Sequence, residues 1–124
     1  CVGFEVLFTD WDEFGFHNGF NFIKGNVRKL HTSKKYKLPH VGWNNLKIKN
    51  KKNLFKDLDN NNDFYFCHSY VVKNVEEKNI LSLTDYSIEF ISSVSKNNIF
   101  GVQFHPEKSQ ENGKKIIKNF LNNI

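Results

Sequence analysis

Cysteine is scarce in this chain, and the scarcity excludes a good deal. Of 124 residues only two are cysteine, Cys1 and Cys67, too few for a disulfide framework. No CxxC pair and no His/Cys cluster offers metal-ligand spacing, so no metal site is expected. Each thiol is to be read by its local surroundings. Arginine is nearly absent, and aromatic residues do not interleave with the lysines that carry most of the net charge of +5. Lys47, Lys49, Lys51 and Lys52 therefore read as solvated surface, not as a nucleic-acid patch. No apolar run approaches a membrane span, and no charged-then-apolar leader precedes a small-residue cleavage site. The expectation is a cytoplasmic chain with neither membrane nor nucleic acid as partner. With 39% hydrophobic and 25% charged residues, it suits one small domain spanning 1–124.

What is present reads as a mixed order of elements. Phe4, Leu7 and Phe8 make a short helical stripe immediately after Cys1. A run rich in Asp and Gly follows over 9–15, then a strand over 26–30 and a polar turn over 33–37. The segment 38–44, Leu-Pro-His-Val-Gly-Trp-Asn, is rich enough in Pro and Gly to predict an ordered loop leading to a strand at 46–48. A helical turn is expected over 54–58 and one strong strand over 64–72. Further strands are expected at 80–84, 87–94 and 99–104. The end, 110–124, predicts an amphipathic helix with Ile116, Ile117, Phe120, Leu121 and Ile124 on its apolar face and Ser109 near its N-cap. Closely spaced strands favour antiparallel pairing, and the last strand-to-helix unit suits an α/β sheet.

The segment 100–107, Phe-Gly-Val-Gln-Phe-His-Pro-Glu, carries the clearest chemistry. At a strand end residues i and i+2 point the same way, so Glu107 can bond one ring nitrogen of His105 and leave the other for a nucleophile. His-x-Glu alone is also a common surface pair. Cys1 is the candidate nucleophile, because a helix N-terminus lowers a thiol pKa and presents N–H groups to an oxyanion. On its own it reads equally as an unremarkable terminal cysteine.

Taken together, four blocks resemble the class I, triad-type glutamine amidotransferases, and within them the glutaminase subunits of imidazole glycerol phosphate synthase. Cys1-Val2-Gly3-Phe4-Glu5 resembles the C-x-G-x-Q nucleophile elbow. Leu38 to Asn44 resembles a PHMGWN loop, Tyr65 to Tyr70 a YFVHSY strand, and Gly101 to Gln110 a GVQFHPEKSQ block. The resemblance implies a flavodoxin-like α/β fold: a mixed sheet with flanking helices, of which this chain holds the C-terminal portion from the nucleophile onward. It implies Cys1 as nucleophile, His105 as general base and acid, Glu107 as its orienter and the Val2 backbone N–H as oxyanion donor. Glu5, His68, Ser69 and Tyr70 match positions that hold glutamine. Pro39, Trp43, Tyr65 and Lys108 match the contact with a HisF-like cyclase subunit, the heterodimer partner that receives the ammonia. No cofactor is implied.

Three departures from the family pattern stand out. The strands that precede the nucleophile in the family are absent from this chain, so the expectation is a piece that is unstable or inactive alone. Glu5 stands where the family has glutamine, an expected loss of a donor and a charge opposing thiolate formation. Asp85-Tyr86-Ser87 replaces a Tyr-Gly turn. Other readings remain: a paralogue feeding a surface-sugar amidotransferase, a subunit that only docks, or an N-terminal-nucleophile hydrolase using the Cys1 amine as base.

Overall fold

The computed structural model describes residues 1–122. Helix α1 is a single turn, Val2–Glu5, whose Phe4 turns inward on Phe8 with ring centroids 5.0 Å apart. Gly101 is what lets α1 settle so closely on the sheet. A Cβ there would lie 2.7 Å from Leu7 Cδ1 and 3.1 Å from the Phe4 ring, so a larger residue would make both side chains shift.

Among the described residues ten strands follow: β1 (Asp10–Trp11), β2 (His17–Asn18), β3 (Asn26–Lys29), β4 (His40–Asn45), β5 (Lys47–Ile48), β6 (Asp63–His68), β7 (Tyr70–Lys73), β8 (Ile80–Tyr86), β9 (Ile88–Lys96) and β10 (Ile99–Val102). Helix α2, Gln110–Leu121, closes the described part of the chain. The strands form three sheets, ordered β2-β1-β3-β7, β10-β9-β8-β5 and β4-β6. Every pairing is antiparallel except β1 with β3. The expected mixed α/β arrangement is thus present.

Three local expectations are corrected. The Pro- and Gly-rich segment 38–44 is not a loop throughout, because His40–Asn45 is a strand paired residue for residue with β6. Gly42 sits in it at φ +133°, a backbone state that glycine adopts freely, and strong strand formers opposite recruit the rest. The single strand expected over 64–72 is two, broken at Ser69 as the chain passes from one sheet to another. The last strand stops at Val102, since the chain turns in toward His105.

Alternation explains the two-stranded sheet. Phe64, Phe66 and His68 point into the core from β6, while Tyr65 and Cys67 face out, and Val41 and Trp43 face out from β4. The larger core gathers Phe55, Phe64, Phe66, Leu81, Phe90 and Phe104 under Ile116 of α2. The smaller one packs Phe4 and Phe8 on Ile23, Val27, Val72 and Val94. On α2 only Ile116 of the expected apolar face is buried; Ile117, Phe120 and Leu121 remain partly exposed, and Ile124 lies outside the described residues. Among the described residues no helix is long and apolar enough to cross a membrane, and none of their His, Cys, Asp or Glu groups is arranged to hold a metal.

Candidate active site

The chain after β10 does not run straight on. Gln103 donates its backbone N–H to Ser92 O (2.9 Å) and His105 donates to Tyr65 O (2.9 Å), so the segment crosses from β9 to β6. Phe104 anchors the crossing in the core, 4.5 Å from the Phe64 ring. Pro106 then opens a short 3-10 turn, Pro106–Lys108. This turn, and not a continued strand, swings Glu107 back onto His105. The bond runs from His105 Nδ1 to Glu107 Oε1 at 2.8 Å. Partial burial works against the Glu107 carboxylate, but the His105 bond, a backbone bond and the His105 and Lys108 charges together hold its pKa below the usual value.

Two residues missed as positioning groups seat this turn. The Ser109 hydroxyl, 1% exposed, donates to His105 O (2.6 Å) and accepts the Tyr65 backbone N–H (3.0 Å). It makes no side-chain cap to α2, the role its place in the sequence suggested. Gly113 brings α2 against the turn, since a Cβ there would fall 1.8 Å from Pro106 O. Signals for both were thin: a serine before a helix and a glycine within one.

Cys1 meets this turn across a cavity of about 300 Å³ lined by Cys1, Gly3, Phe4, Gly101, His105 and Glu107, among others. Because Nδ1 of His105 is engaged by Glu107, Nε2 is the ring nitrogen left to handle a proton. Cys1 is exposed and stands at the N-cap position of α1 with no side-chain cap bond; the N–H of Val2, the first helical residue, belongs to the turn that lacks intrahelical partners. The three expected triad residues therefore border one cavity.

The expected glutamine-holding residues divide. Ser69 and Tyr70 lie half-buried at the break between β6 and β7. His68 is 5% exposed, and both its ring nitrogens are engaged internally, Nδ1 with Tyr70 O (3.0 Å) and Nε2 with His40 Nδ1 (2.9 Å). It has no nitrogen left for a ligand. Glu5, the last residue of α1, is 2% exposed and turned inward, not among the residues lining the cavity. Burial first, and then a hydrogen bond with Glu13, push its pKa up to about 8. The raised pKa favours the protonated form of Glu5, which keeps a donor as glutamine does and carries less charge beside the thiol than expected. Its Oε2 is buried without a hydrogen-bond partner.

The expected partner contacts gather on the outer face of β4 and β6. Trp43 is 48% exposed and stands opposite Tyr65, ring centroids 6.0 Å apart. Lys108 Nζ sits 5.8 Å above the Tyr65 ring. Exposed Pro39 leads into the same strand.

A cysteine at a tight helical turn thus faces a His-x-Glu pair across one cavity. Residues 1–124 match the glutamine amidotransferase class-I family. The chain is 47% identical over 121 residues to "Imidazole glycerol phosphate synthase subunit HisH 2" of Methanococcus maripaludis, covering 98% of this chain and 59% of that protein. It is 46% identical to the subunit HisH of Methanocaldococcus jannaschii, covering 98% of this chain and 60% of that protein. A putative GMP synthase subunit from Thermoplasma acidophilum shares the fold, with a TM-score of 0.63 and 19% identity. That likeness covers 80% of this chain and 48% of the other. The chain belongs to the class-I glutamine amidotransferase family. It spans about 60% of the length of the HisH relatives it matches.

Proposed function

We propose that this chain is the catalytic part of a glutaminase subunit of imidazole glycerol phosphate synthase. The observation that carries the reading is the His105–Glu107 pair, bonded at 2.8 Å and bordering the same cavity as Cys1. Identity of 47% to a relative named as the HisH subunit of that synthase supports the substrate and pathway.

His105 Nε2 takes the Cys1 thiol proton, and Sγ adds to the side-chain amide carbon of glutamine. The carbonyl oxygen becomes an oxyanion facing the Val2 N–H. His105 returns its proton to the amide nitrogen, the C–N bond breaks and ammonia leaves. Water, deprotonated by His105, attacks the γ-glutamyl thioester; glutamate departs and Cys1 recovers its proton. Glu107 holds the imidazole by Nδ1 and stabilises its cationic form, the task an orienting carboxylate performs in such triads. Ser69 and Tyr70, at the strand break, hold the glutamine. Ammonia passes to a cyclase subunit seated on the face of Pro39, Trp43, Tyr65 and Lys108.

Glutamate release is the test, measured with and without the cyclase subunit, on this chain and on a version extended upstream. Activity of the extended protein with its partner, abolished by Cys1→Ala, supports the reading. Binding of the partner without any glutamate release contradicts it and leaves a docking subunit. Release that acetylation of the Cys1 amine abolishes, with His105→Ala fully active, contradicts the triad.

A further inference from the structure

Two buried histidines are left over by the triad. His40 and His68 are 3% and 5% exposed and share a bond of 2.9 Å between His40 Nδ1 and His68 Nε2. Their direction can be worked out from both ends. At one end Tyr70 O is a carbonyl and can only accept, so His68 Nδ1 carries the proton. His68 Nε2 then accepts, and His40 Nδ1 must donate to it. At the other end His40 Nε2 is left as an acceptor, and it faces Asn44 Nδ2 at 3.4 Å.

The Asn44 amide is itself oriented independently of the histidines. Its Nδ2 donates to Asp85 O (2.8 Å), and its Oδ1 accepts the Asn45 backbone N–H (2.8 Å). The NH2 group therefore points at His40, the direction that the Tyr70 end also requires. Both ends agree on one proton pattern, with each ring neutral and protonated at Nδ1. Rings on several sides enclose the pair: Tyr86 stacks on His40 at 4.0 Å, Phe66 lies at 4.9 Å, and Phe90 lies 4.9 Å from His68.

The groups in this line come from all three sheets. Asp85 is on β8, Asn44 and His40 on β4, His68 on β6, and Tyr70 on β7. The line ends on the backbone where β6 breaks at Ser69 and passes to β7. Asn44, His40 and His68 do not line the Cys1 cavity, so their effect must be exerted through the Ser69–Tyr70 turn.

We propose that His40 and His68 are a positioning pair, a one-way hydrogen-bond relay from Asn44 to the Tyr70 carbonyl that sets the Ser69–Tyr70 turn for glutamine. The glutamine-holding part rests on the glutaminase reading; the relay itself does not. A buried hydrogen bond broken on one side leaves a partner unsatisfied, and here the strain falls on a turn that binds substrate and not on the reacting atoms.

Long-range ¹H–¹⁵N correlation spectra of the upstream-extended protein read the tautomers directly. Nδ1–H is expected at both rings, and Nε2–H at either one overturns the relay. Asn44→Asp is nearly isosteric and half-exposed, but replaces the donor facing His40 with an acceptor. In that variant, with the cyclase subunit present, KM for glutamine should rise about tenfold while kcat changes by less than about twofold. His40→Phe keeps the ring packing without the donor and should behave alike. If His40→Phe does not fold, Asn44→Asp decides the matter. A role in stability alone predicts a lower melting temperature with KM unchanged, and that result contradicts the positioning claim. If the unsubstituted protein releases no glutamate, the glutaminase reading falls and the positioning of glutamine with it, while the tautomers still decide the relay.

Discussion

Glu5 shows how far a single residue can depart from its expected chemistry once it is buried. Read as a carboxylate, it opposes the nucleophile expected at Cys1; buried at the end of α1 and bonded to Glu13, it has its pKa raised to about 8. The folded chain thus holds a proton that an exposed carboxyl, at its ordinary 4.5, has lost. Stability from this group is full below about pH 4.5 and is lost as pH rises through 8. His40 and His68 act in the opposite sense. Burial lowers both from 6.5 to about 4, so the unfolded chain takes up protons first. Their contribution is full above 6.5 and is lost as pH falls through 4. Denaturant titrations should show stability declining on both limbs. Glu5→Gln should flatten the alkaline limb and raise stability at pH 8 by about 1–3 kcal/mol, with less effect at pH 5. An unchanged alkaline limb in that variant would mean that Glu5 is already ionised and solvated.

At the scale of elements, the position of His105 depends on how a turn is held. The 3-10 turn at Pro106–Lys108 is too short to be rigid by itself. Ser109 ties it to β6 through two bonds, and Gly113 lets α2 rest on the Pro106 carbonyl. Ser109→Ala leaves the Tyr65 N–H and the His105 carbonyl without that partner. It should lower stability by about 1–3 kcal/mol and reduce kcat more than it raises KM, as measured by urea melts and steady-state glutaminase assays. A change in KM alone would show that the turn does not govern the histidine. This dependence is only partly legible in the sequence. His105 and Glu107 stand out because two chemically matched side chains lie two residues apart. Ser109 does not, because a serine before a helix reads first as a cap, and its real partners are 44 residues and four residues away. The same limit applies to β4: proline and glycine in 38–44 signal a loop locally, and only pairing with β6 makes it a strand.

At the scale of the molecule, two groups of residues stand out, one around Cys1 and one on the outer side of β4 and β6. The Cys1 cavity lies where α1, β10 and the His105 turn converge. The outer side of β4 and β6 offers Trp43 and Lys108, each set against Tyr65. An exposed tryptophan beside a tyrosine and a lysine has the composition of an interface anchor. Trp43→Ala should weaken binding of the cyclase subunit by about 2 kcal/mol, on the order of thirtyfold in Kd by calorimetry, and leave the fold intact. Unaltered affinity would place the partner elsewhere. Both groups are legible in the sequence because the blocks around Cys1, Trp43, Tyr65 and His105 resemble one family in order. The three-sheet topology and the His40–His68 line are not, since both depend on pairings between segments distant in the chain.

The central claim is that Cys1 is a nucleophile directed at glutamine by His105 and Glu107. Both Cys1 and Cys67 are exposed, so Cys67 serves as an internal control for thiol reactivity. The upstream-extended protein, with its partner, is treated with a diazoketone analogue of glutamine and the labelled peptides are identified by mass spectrometry. The account predicts alkylation at Cys1 alone, prevented by excess glutamine and lost in His105→Ala. Equal labelling of Cys1 and Cys67, indifferent to glutamine and to His105, would contradict it.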